Sequence, residues 1–455
     1  MSKNKQTADL GTGSIPKLMV KMAVPAVVAQ VVNLLYNIVD RIYIGQGVGA
    51  LALTGVGLCM PLMMFMNAFA MLAGSGGAPR AAIAMGRGDR NEADKIMSNS
   101  FSLLLLFSVG ITVLYLLAAE PLLLMFGASA DTLPYAMDYM NIISWGSVFT
   151  LLVMGLNPFL TAQGLSTVAM MTTVIGAVTN IVLDPIFIFG LGMGVRGAAL
   201  ATVMSQAVGA LWVTYTLSRS KKSVLKITPA GMKLDPKVFG PSLALGVSGF
   251  VMVATESLLS ISFNSSLQRY GGDLAVGSMT ILTSCIQLAQ MPASGIAQGC
   301  APITSFNFGA GNHDRVKKCF YLQLAVAAGY TVLFWIAAMA VPQVFAQIFN
   351  KDAALVEHTV WAMRIYMAGV FSLGFQLTCQ QSFVALGQAK VSLFMACLRK
   401  LILLIPLIFI LPMFFENKVF AVFLAEPISD IIAALATTGT FFFRFDKILK
   451  EGTLR

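Results

Sequence analysis

Charge is what this sequence has least of. Only 11% of its 455 residues are Asp, Glu, Lys or Arg, against about 25% in soluble domains. That shortage excludes a water-soluble globular chain, and a mean hydropathy of +0.80 agrees. Histidine is nearly missing: His313 and His358 are the two, far apart in the chain. There is no G-x-x-x-x-G-K-[ST] loop, no nucleophile–base constellation and no metal-ligand spacing of cysteines. Nothing therefore encodes an ATP engine, a hydrolytic centre or a transition-metal site. The chain reads as a non-enzyme with no cofactor. Cys59, Cys285, Cys300, Cys319, Cys379 and Cys397 lie in or beside apolar runs, where cysteine acts as a small hydrophobe. The short alternating segments of a transmembrane barrel are absent too. No cleavable signal peptide is visible in MSKNKQTADLGTGSIPK, so the first span is expected to direct its own insertion.

What fills the chain instead is apolar runs long enough to cross a bilayer, about 20 residues each. Twelve are legible, over residues 18–44, 51–73, 97–118, 133–160, 167–190, 197–217, 238–266, 275–301, 319–341, 355–386, 391–415 and 418–443. The longest polar break, 218–237, divides them six and six. The expected fold is an all-α polytopic membrane protein with twelve transmembrane helices in two six-helix lobes. Residues 1–217 would form the N-lobe, 218–237 a cytoplasmic linker, 238–445 the C-lobe and 446–455 a cytoplasmic tail.

The formal charge of +10 could suggest nucleic acid, but its placement decides otherwise. With the N-terminus inside, 24 of the 30 Lys and Arg fall on inner segments, among them Lys3, Lys5, Arg399, Lys400 and Arg455. Six fall outside, among them Arg41, Lys351 and Arg364. That asymmetry puts both termini in the cytoplasm and leaves no role for nucleic acid.

The halves repeat. At an offset of 223 residues, GGAPRAAIAMGRGDRNEADK meets GCAPITSFNFGAGNHDRVKK, and Gly76, Ala78, Pro79, Gly86, Gly88 and Lys95 fall on identical residues. Six spans is an even number, so the copies share one orientation. A parallel repeat related by an axis along the membrane normal is a transporter signature.

Polar residues inside lipid usually mark function. The segment NIVLDPIFIFG holds Asn180 and Asp184 on one helical face, and Pro185 leaves the Ile181 carbonyl without its helical donor. Asp40 lies in the outer part of span one, parallel to span five, and Thr202 of span six adds a hydroxyl. Two carboxylates in low dielectric disfavour each other's charge. Such a pair would exchange a proton or hold a monovalent cation such as Na⁺. Glu256 in span seven is a further candidate; at the repeat offset it falls on Asn33, and Gln290 falls on Asn67. Glu426 and Asp430 follow at helical spacing in span twelve and are read as lining its inner half. Tyr36, Asn37 and Met64 are candidate cavity residues, and the 27 Met and 31 Phe suit adaptable recognition of organic cations.

Together, Pro25 in span one, VDRIYIG, NIVLDP and the duplicated six-span plan resemble the multidrug and toxic compound extrusion (MATE) family, most closely its bacterial MepA-like branch. The resemblance covers residues from about 15 to 445. It implies a V-shaped pair of lobes in the bacterial cytoplasmic membrane. These would export amphipathic, mostly cationic compounds by alternating access, against inward H⁺ or Na⁺. Residue by residue, it implies a coupling-ion site at Asp40, Asn180, Asp184 and Thr202, with Asn157 nearby and a helix bend at Pro25. Glu256 matches a C-lobe carboxylate of some members. The acidic residue those members carry in span ten is missing here, so coupling is expected in the N-lobe. The expected partners are small organic cations and membrane lipid, around a monomer. The alternative is a flippase for a lipid-linked oligosaccharide, disfavoured by the scarcity of deep Lys and Arg; a channel or a receptor stands further off.

Overall fold

The computed structural model describes residues 10–349 and 352–452; Lys3, Lys5, Lys351 and Arg455 lie outside them. All its regular elements are helical, with no strand among the described residues. Eleven helices are long and apolar enough to cross a membrane. They are α1 Ile15–Gly47, α2 Leu51–Arg87, α3 Arg90–Met125, α4 Leu133–Ala162, α5 Ser166–Gly190 and α6 Gly194–Ser218 in the first half. The seventh in this count, Pro236–Gly309, is 74 residues long and breaks at Gly272, where φ is +62° and ψ −160°. That glycine turns the chain between α7 (236–271) and α8 (273–309), because side chains other than hydrogen rarely accept that backbone region. Then follow α9 His313–Ala340, α10 Ala353–Ala385, α11 Ala389–Met413 and α12 Lys418–Glu451. The twelve apolar runs thus correspond to twelve crossings.

Two large cores confirm two lobes. One gathers buried residues of α1 to α6, the other those of α7 to α12. The glycines of the repeat sit where the lobes cross. A Cβ at Gly86 would lie 2.1 Å from the Phe306 carbonyl oxygen, and one at Gly309 would lie 2.0 Å from that of Ile83. Likewise Gly76 packs on Ser242 and Gly246, while its repeat mate Gly299 packs on Ala23. Position 23 is the mate of 246 at the same offset. The crossings are therefore exchanged by a twofold, as the duplicated sequence requires. Small residues let the backbones approach this closely in a membrane.

Each lobe also holds the start of the other's first helix. The opening turns of α1, with Ile15, Leu18, Met19 and Met22, pack against Cys300, Ile303 and Cys319 of the C-terminal half. Arg315 clamps the segment before them, donating to the carbonyls of Leu10 (3.0 Å) and Gly13 (2.7 Å). In mirror fashion, Val238, Phe239 and Leu243 of α7 pack on the N-terminal core. The linker before them is held by Asn99, which donates to the Gly231 carbonyl and accepts from the Asp235 amide. A boundary drawn by chain position alone would miss this exchange. α1 remains helical through Pro25, and Val27 just beyond it still packs against Gly295 of the C-lobe.

Candidate functional site

Between the lobes lies a cavity of about 710 Å³. It runs from Gln30 and Gln298 to Arg41 and Thr280, away from the crossings at Gly86 and Gly309. The near-terminal end of the molecule is packed shut. Of the sequence candidates, Asn33, Tyr36, Asn37, Asp40, Met64 and Gln290 line this space, and so does Asn67.

Asp184, Asn180 and Thr202 are not in the cavity wall but behind it, buried between α1, α5 and α6. Asp184 and Asn180 are 0% exposed, Thr202 3% and Asp40 6%. The i, i+4 spacing in α5 places the Asn180 Nδ2 3.4 Å from Asp184 Oδ1, and the same Nδ2 lies 3.5 Å from Thr202 Oγ1. The carboxyls of Asp40 and Asp184 stand side by side. Pro185 ends the α-helical part of α5, and a π-helical turn, Ile186–Gly190, follows at once. Three oxygens of this cluster, Asp40 Oδ1, Asp184 Oδ2 and Asn180 Oδ1, are buried with no protein donor. Lone oxygens on two carboxyls and an amide form a donor set suited to a proton or a hard monovalent cation. Two tyrosines complete the surroundings: Tyr36 and Tyr139 stand beside the Thr202 hydroxyl and near Asp40. Tyr139 escaped the sequence reading, since an aromatic in an apolar span carries no signal of its own.

Asn157 does not join the cluster. Its amide donates to the Ala169 carbonyl at 3.2 Å. Ala169 lies fifteen residues before Asp184, about 22 Å along the helix at 1.5 Å per residue. The expectation of a nearby Asn157 is corrected: it sits at the other end of α5.

Glu256 belongs to a second cluster, in the C-lobe. It pairs with Lys400, whose ammonium also donates to the Met252 carbonyl at 2.8 Å. Arg399 donates through Nε to Asp430 Oδ1 at 2.7 Å and approaches Glu426 at 3.3 Å. Arg399 and Lys400 were counted as inner-surface charges; they are instead 7% and 5% exposed inside the lobe. A π-helical stretch, Leu398–Leu404, carries them there, ten residues past the start of α11 at Ala389. Glu426 and Asp430 also shift from expectation. They lie within twelve residues of Lys418, so on the assumed topology they occupy the outer half of α12 rather than the inner. Glu256 is remote from Asn33 and Gln290 in role: those two face the cavity, while Glu256 faces Lys400. Among the described residues no group of three or more His, Cys, Asp or Glu could hold a metal ion.

Two repeated six-helix lobes, crossed on matched glycines around a shared cavity, define a duplicated polytopic membrane protein. The MatE family model matches twice in succession, over residues 25–186 and 250–410, and the chain belongs to that family. It is 24% identical over 433 residues to the multidrug export protein MepA of Staphylococcus haemolyticus (strain JCSC1435), covering 95% of each chain. It is also 24% identical over 424 residues to the protein of the same name from Staphylococcus aureus (strain N315), covering 92% of each. Among solved structures it superposes on a MATE protein in the bent conformation, with a TM-score of 0.93 and 25% identity over 99% of this chain and all of that one. The straight conformation gives 0.90 at the same identity and coverage.

Proposed function

We propose that this chain is a secondary-active multidrug export transporter. It exchanges amphipathic, mostly cationic compounds for H⁺ or Na⁺ by alternating access of the cavity to the two sides of the membrane. Residues 1–217 and 238–445 form the two bodies, with 218–237 joining them. It works as a carrier without catalytic chemistry, as a monomer in the bacterial cytoplasmic membrane with both termini inside.

One observation carries the reading. Asp40 lines the cavity on one side and abuts buried Asp184 on the other. A cation drawn into the cavity and an ion held by the carboxyl pair therefore share a residue. Charge placed on one disfavours the other, and binding of unlike ligands to unlike states is what exchange requires. Asp40, Asn180, Asp184 and Thr202 hold the coupling ion, and Pro25 and Pro185 let α1 and α5 bend as it comes and goes. A proton fits the pair through a shared hydrogen bond between carboxyls. Na⁺ fits it through the three oxygens that lack protein donors. Among the described residues Arg41 is the one basic residue in the cavity wall, beside Asp40, which gives a pyrophosphate-bearing lipid little to hold.

The test is transport into proteoliposomes of the purified protein, with a fluorescent organic cation and an imposed proton or sodium gradient. The expected result is accumulation driven by one gradient, which names the ion. Accumulation under neither gradient would refute exchange.

A further inference from the structure

Two faces of the cavity differ in chemistry. The α2 wall brings Met60, Met63 and Met64, which are adaptable and apolar. The seam between α1 and α8 is mostly polar, interrupted by Leu34, Ile38 and Met291. On α8, residues 284, 287, 291, 294 and 298 line the cavity at alternating spacings of three and four, so one helical face looks into it. The span from 284 to 298 is about 21 Å. Gln287, Gln290 and Gln298 on that face oppose Gln30, Asn33 and Asn37 of α1. Thr283 and Ser284 donate their hydroxyl protons to their own helix, at 2.8 and 3.0 Å, and so offer the cavity acceptor oxygens. Among the described residues, the charged ones in the lining, Asp40 and Arg41, are adjacent in α1.

A binding site for flat lipophilic cations would be mostly aromatic and apolar with a few polar anchors. This cavity instead runs a long, neutral ladder of amide and hydroxyl groups away from a single carboxylate. We propose that its substrates are amphipathic cations bearing a neutral arm rich in hydroxyl or amide groups, of the glycoside or polyol type. The cation lies toward Asp40, the apolar body on the methionines, and the arm along the α1–α8 seam. Neutral amides both donate and accept, so they match an arm whose groups do the same. An apolar arm in the same place would strip those amides of water and return nothing. The inference rests on the export reading and refines its substrate class.

The experiment uses one rhodamine cation carrying either a glucosyl arm or a hexyl arm. Binding to the purified full-length protein is measured by fluorescence polarisation, with no gradient present. The expected result is at least about ten-fold tighter binding of the glucosyl dye, because a site built for hydrogen bonds rejects partners lacking them. In Gln287→Leu/Gln290→Leu that preference should fall to parity or invert. Equal affinities in the wild-type protein would overturn the proposal, and so would a preference that survives in the variant. Both results are read from binding alone. They stay separate from failure of the export reading, which shows as absence of gradient-driven accumulation for either dye.

Discussion

Asp184 in the N-lobe and Asp430 in the C-lobe are both buried aspartates, yet their surroundings are opposite. Asp184 stands among neutral donors and another carboxyl. Asp430 is bonded by a guanidinium at 2.7 Å, and Lys400 serves Glu256 in the same way. One fold, used twice, has thus been given an N-lobe carboxyl pair with no bonded cation among the described residues and a C-lobe cluster that carries its own. A carboxylate in low dielectric must be neutralised by something. In the N-lobe no bonded side-chain cation does this among the described residues, which is why the proposed exchange places a mobile ion there. In the C-lobe the cation is covalently part of the chain. On the proposed exchange, the contrast would let a duplicated protein couple through one half.

The largest effect expected from breaking this contrast is on transport. Asp184→Asn should reduce gradient-driven accumulation to the level of protein-free vesicles, whereas Asp430→Asn should leave it running. Equal loss in both variants would show that the C-lobe also cycles its charge. The next effect is on stability. Arg399→Met strands two buried carboxylates, and breaking a buried pair costs about 3–5 kcal/mol. A clear drop in the melting temperature of the detergent-purified protein should follow, while Asp184→Asn, which strands nothing positive, should melt no lower than wild type.

A third and smaller effect concerns the crossings. Gly309→Ala places a methyl 2.0 Å from the Ile83 carbonyl, and forcing such overpacking apart costs about 1–3 kcal/mol. Distances between spin labels on the two lobes near the termini should lengthen. An unchanged distance distribution would mean that the crossing is not what keeps that end shut. The smallest effect belongs to Glu256→Gln. Its side chain is 49% exposed although that of Lys400 is only 6%; water reaches the carboxylate end of the pair and Gln keeps an acceptor oxygen for the ammonium, so the loss should stay at about 1 kcal/mol. Gradient-driven transport should persist, with a melting temperature within a few degrees of wild type.

Much of this was legible in order of residues. Long apolar runs leave little choice but helices in a bilayer, since every backbone polar group must be satisfied within the segment. The matched Ala-Pro and Gly-x-Gly stretches revealed the twofold before any coordinates, and they turned out to be the crossings themselves. Asn180 and Asp184 declared each other by spacing. What stayed hidden needed depth or partners. Arg399 and Lys400 follow an apolar run from Lys390 and looked like an inner anchor. A charge count cannot tell a membrane-surface cation from Arg399, paired with Asp430, 31 residues later. Asn157 is polar at helical depth in both readings, and only its bond to Ala169 shows which end of α5 it serves. Tyr139 meets Thr202 across 63 positions of chain, a contact that no local pattern announces.

The shared ownership of α1 has a consequence for degrees of freedom. Met22 is seated in the C-lobe and Ile44 in the N-lobe, on one continuous helix. α7 is held in the same double fashion, with Phe239 in one core and Phe263 in the other. Two rods of fixed length, each gripped at its ends by different bodies, forbid the bodies to translate apart. Pivoting is the freedom left to them, and on the proposed reading Pro25, one hydrogen bond short, would be where α1 yields.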